Sequence, residues 1–105
     1  MMKNKIKIPK SISLMGVEYV IEWHDTIDDP DLGECYGYCN KAEHKIVLAK
    51  NFKGTKVLQD DLEIIYLHEL THAILFAMGE HKLNGKEKFV EGFSGLLHQA
   101  LKSAI

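Results

Sequence analysis

With 105 residues, 46% of them hydrophobic and 27% charged, the chain has the size and composition of one globular domain, residues 1–105, with a single modest core. A net charge of −2 argues against nucleic acid or an anionic membrane as partner. The start, MMKNKIKIPKSISLMG, lacks the apolar segment of a signal peptide, and no run long enough to span a membrane follows, so the expected location is cytoplasmic.

In chain order, KIKI alternates but meets Pro9, which limits it to a short edge strand or tail. SISLMGVEYVIEWH has strand chemistry on both sides of Gly16, with a turn or bulge at the glycine. DTIDDPDLGE, Asp25 to Glu34, reads as a solvated acidic loop, since its spacing does not match a calcium loop. CYGYCNKAEHKIVLAK reads as a hairpin, with strands Cys35–Cys39 and His44–Ala49; the lysines flanking the second strand suit an exposed edge. Alternation puts Cys35 and Cys39 on one face, too far apart for an easy disulfide, so free thiols are expected. NFKGTK is a loop.

Asp60 and Asp61 then open an apolar run, with Glu63 placed as in a capping box and Gly79 as the stop. Apolar residues lie nearly all round this helix, as in a central one. After EHKLNGKEK a second helix, about residues 86–103, carries the stripe Phe89, Val90, Phe93, Leu96, Leu97, Ala100 and Leu101. The fold class expected is α+β: a small antiparallel sheet of about three to four strands followed by two packed helices.

His68-Glu69-Leu70-Thr71-His72 in the first helix is an H-E-x-x-H motif. Residues four apart lie about 40° round and ~6 Å along a helix, so both imidazoles can meet one cation. Glu69, about 100° from His68, is better placed to reach a water on that cation than to bind it. Ligation also satisfies imidazoles that would otherwise be costly to bury.

A hydrolytic zinc ion needs a third protein ligand and an open position. The downstream candidates are Glu80, His81, Glu87, Glu91 and His98. The second helix can pack antiparallel to the first and offer Glu87 or Glu91, one turn apart. Glu91 is preferred, because Gly92 and Gly95 beside it would allow a close approach of the two helices. An oxyanion stabiliser is also needed; His81, His98, Tyr36 and Tyr38 all qualify by type.

HELTHAIL, followed by KFVEGFSGLL, resembles the gluzincin metallopeptidases, in which H-E-x-x-H is completed by a glutamate on a later helix. The small size and the order of strands then helices are similar to minimal gluzincins and to the ImmA/IrrE-like peptidases of phages and mobile elements. The resemblance covers about residues 62–101. It implies a zincin-like fold, one Zn2+ ion held by His68, His72 and Glu91, and Glu69 as general base and acid. Thermolysin-type members place an aspartate four residues after the third ligand to orient a ligand histidine. Gly95 stands there, with Ser94 a weak substitute.

The expected function is zinc-dependent hydrolysis of peptide bonds in a peptide or protein substrate, with the strand His44–Ala49 aligning it by edge pairing. The alternative is a non-catalytic zinc-bound module that binds a regulatory protein.

Overall fold

The computed structural model describes residues 4–105; the first three residues of the lysine-bearing start lie outside the described residues. Within the described residues, KIKI (5–8) forms no strand. Strands β1 (Ser11–Leu14) and β2 (Val17–His24) make an antiparallel hairpin that turns at Met15 and Gly16, both with positive φ (51° and 80°). That is the backbone sense a two-residue turn needs to match strand twist.

The acidic segment is more ordered than a loop. β3 (Ile27–Asp29) and β4 (Gly33–Cys35) pair antiparallel, and the Asp29 carboxylate caps the turn by accepting from the amides of Asp31 and Leu32. The expected strand Cys35–Cys39 is thus divided: Cys35 ends β4, while β5 (Gly37–Asn40) joins the main sheet. β6 (Lys45–Ala49) follows, then a small hairpin of β7 (Asn51–Phe52) and β8 (Thr55–Lys56) where a plain loop was expected.

The main sheet has the order β1-β2-β6-β5, and it is mixed rather than antiparallel: β2 and β6 run parallel, from Val20 opposite Lys45 to His24 opposite Ala49. The reason lies in the composition of β6. Ile46, Val47, Leu48 and Ala49 are all fully buried, so this strand needs cover on both faces and neighbours on both edges. Ile46 and Leu48 pack with Ile21, Tyr66 and Leu67 on the helical side. Val47 and Ala49 pack with Ile27 and Cys35 of the β3–β4 hairpin. β6 is therefore interior, not the expected edge; the edge beside the helices is β5.

Helix α1 (Gln59–Met78) crosses the sheet, contacting β5 and β6. It starts at Leu58 without a side-chain cap and ends at Gly79, whose φ of 75° closes the last turn. Glu63 does not cap. It is fully buried, and its carboxylate accepts from the Ile6 amide, Gln59 and His98, with the Lys102 ammonium at 3.2 Å. The connection holds a further helical turn, α2 (His81–Asn84), before α3 (Glu87–Ala104) packs along α1. Gly92 and Gly95 do not serve that packing, since a Cβ on either would meet nothing within 4 Å. No helix among the described residues is long and apolar enough to cross a membrane.

Candidate metal centre

α1 carries His68 and His72 on one face, with their ring centroids 5.0 Å apart. α3 brings its first residue, Glu87, between them: Oε2 lies 3.3 Å from His68 Nε2, and Oε1 lies 3.0 Å from His72 Nε2. All three ligand atoms fall within 4.8 Å of one another. Donors at ordinary zinc distances in a tetrahedral shell are about 3.3 Å apart, so the two imidazole–carboxylate spacings suit a zinc ion. The partly buried imidazoles and the exposed carboxylate leave one side open to solvent.

The carboxylate brought to the histidines is thus Glu87. Glu91, favoured in the sequence, lies one turn further on, in the wall of the adjoining cleft beside His68, Glu69 and Ser94, and outside the three-residue group. The preference for Glu91 rested on glycines that face away from α1. Glu87 carried a different signal: it follows the Asn84-Gly85 break and opens a helix, where a carboxylate is favoured by the helix dipole.

Asn84 at the end of α2 was not singled out in the sequence. It is buried, and its Oδ1 lies 2.5 Å from His72 Nδ1. An amide oxygen there accepts Nδ1–H and leaves Nε2 unprotonated toward Glu87, as a metal ligand requires. Ser94 does not fill such a role, because its hydroxyl donates to the Val90 carbonyl within α3.

Glu69 lines the recesses beside β5 together with His68 and His72. Burial pushes its carboxyl up to about 7; His72 opposes this and Glu87 adds to it. Burial lowers the His68 pKa, with Glu87 pulling the other way and His72 assisting. Both effects favour the neutral imidazole that binds metal. Cys39 lies in the same wall, but burial and Glu69 push its thiol to about 11, so it stands as a protonated free thiol.

The remaining candidates are dispersed. His98 is bonded to buried Glu63 at 2.9 Å. Asp60, Glu63 and His98 also come together as metal ligands would, yet the Lys102 ammonium, 3.2 Å from both carboxylates, already supplies the cation. His81 packs edge-on against Phe76, and Glu80 precedes α2. Tyr36 stacks on Phe52 and lines the cleft with Gly37, Ile64 and Ile65, enclosing about 440 Å³. Tyr38 lines a smaller recess with Cys39, Lys41, Glu69 and His72. No family model, curated protein or solved structure matches the chain.

Proposed function

We propose that the chain is a zinc-dependent peptidase of zincin-like fold, with His68, His72 and Glu87 as metal ligands and Glu69 as the proton-transfer group. The observation that carries this reading is the single carboxylate of Glu87 reaching both imidazoles of the H-E-x-x-H helix, with Glu69 at the cleft beside them. Zinc bound there would acidify water and polarise a scissile carbonyl. Glu69, whose carboxyl is raised by burial in the metal-free fold, would take a proton from the attacking water on Oε and return it to the leaving amine.

Edge pairing supports a peptide as substrate, through β5 rather than the strand expected from the sequence. The Ala49 amide donates to the Tyr36 carbonyl, which fixes the ladder so that Tyr36, Tyr38 and Asn40 bond toward β6. By alternation, the backbone groups of Gly37 and Cys39 face outward, next to Glu69. They offer an extended peptide two ladder positions beside the metal ligands.

Metal analysis combined with a peptide-cleavage screen tests the proposal. The purified protein should hold one zinc per chain, and Glu69→Gln should retain it while losing cleavage. Retained biological effect in Glu69→Gln, with loss in His68→Ala, would favour the non-catalytic binding module instead.

A further inference from the structure

The cleft along β5 is polarised. At its Tyr36 end stand Glu91 and Ser94, with apolar walls from Ile64 and Ile65 and no cationic side chain in the lining. At its other end stands Lys41, in the recesses that reach His72, with its ammonium 5.3 Å from the centre of the Phe76 ring. Glu69 borders both halves. Glu91 is the carboxylate of the larger cleft that neither joins the ligand group nor occupies the general-base position. A bound peptide therefore meets negative charge on one side of the reacting centre and positive charge on the other.

The direction of the peptide follows from the strand. β5 runs from Gly37, at the Glu91 end, toward Lys41. Its existing partner is antiparallel, and antiparallel pairing outnumbers parallel by about two- to three-fold. A peptide antiparallel to β5 places its residues before the scissile bond near Lys41 and those after it near Glu91.

Resting on the peptidase reading above, we propose that the cleft selects peptides with an acidic side chain before the scissile bond and a basic one after it. Glu91 and Lys41 are the specificity-determining residues.

The test uses two fluorescein-labelled peptides of one composition. One carries glutamate before and lysine after a central apolar pair, and the other has the two exchanged. Binding to zinc-loaded Glu69→Gln protein is read by fluorescence anisotropy, which needs no turnover. The acid-first peptide should bind about five-fold tighter at low salt, the scale of solvent-exposed ion pairs, and the difference should fade at about 0.5 M salt. Glu91→Lys should abolish the preference, and adding Lys41→Glu should invert it, with zinc content unchanged in both.

Equal binding, the opposite order, or no binding of either peptide would overturn the proposal. So would loss of zinc from Glu91→Lys, which would make Glu91 a ligand. Cleavage of an uncharged peptide by the wild type reports separately on the peptidase reading. An order preference in binding without any cleavage would leave charge selection standing and remove the peptidase.

Discussion

The side-chain oxygen of Asn84 faces Nδ1 of His72, so a residue from the connecting turn fixes which nitrogen of a helix histidine is free. That contact links α2 to the face of α1 that carries the candidate metal ligands. Asn84→Leu should lower zinc affinity by about 10–100-fold, the usual cost of removing the group behind a ligand histidine, with little change in secondary structure. Chelator competition measures the affinity. Nitrogen NMR of the metal-free protein gives an independent reading: His72 should carry its proton on Nδ1 in the wild type and lose that bias in the variant. An unchanged affinity together with an unchanged tautomer would remove Asn84 from the site.

Glu87 and Glu91 make opposite predictions despite lying one turn apart. Glu87→Gln removes the carboxylate that lies within 3.3 Å of both imidazoles and should cost most of the bound zinc. Glu91→Gln should keep it. Metal content after dialysis against a weak chelator separates them, and the reverse pattern would shift the ligand by one helical turn.

The parts of this molecule legible in sequence are those set by local periodicity. The α1 motif, the Gly79 stop and the α3 stripe depend on residues within a few turns of one another. The choice between Glu87 and Glu91 was not legible, because it depends on where α2 delivers the chain. Four residues of helix in the connection set the level at which α3 begins, and HKLN has no strong helical signature. The central place of β6 was partly visible in its unbroken apolar run. Its parallel pairing with β2 depends on the β3–β4 hairpin covering its second face, a contact between residues far apart in sequence. Glu63 shows the same limit: a capping box and a buried network present the same acid at the same position.

Gly37 and Gly92 should respond with opposite signs to the same substitution. A Cβ at Gly37 would sit 2.9 Å from both the Val47 carbonyl oxygen and Ile65 Cγ2, so the edge strand can approach α1 only because that atom is missing. Gly37→Ala should destabilise by about 2 kcal/mol through overpacking. A Cβ at Gly92 meets nothing within 4 Å in an exposed stretch of helix, and Gly92→Ala should stabilise by about 0.5–1 kcal/mol. Urea unfolding of both variants checks the pair. Stabilisation by Gly37→Ala would show that the strand has room to move away from α1.

Glu69 should make the metal-free protein less stable as the pH rises. Its carboxyl lies at about 7 in the fold, against 4.5 for an unperturbed glutamate, chiefly because burial penalises the charge. A raised folded-state value means that the folded protein holds this proton more tightly than the unfolded chain does. The contribution is therefore complete below about 4.5 and is lost as the pH climbs through about 7. Glu69→Gln carries no such charge, so at pH 8 the metal-free variant should be more stable than the metal-free wild type by about 3 kcal/mol. The gap should close by about pH 4.5. A bound divalent cation stabilises the carboxylate and should shrink the gap at pH 8, tying the instability to the group proposed for proton transfer. Chemical denaturation at several pH values, with and without zinc, measures all of this; a gap independent of pH would show that the Glu69 carboxyl titrates as it does in the unfolded chain.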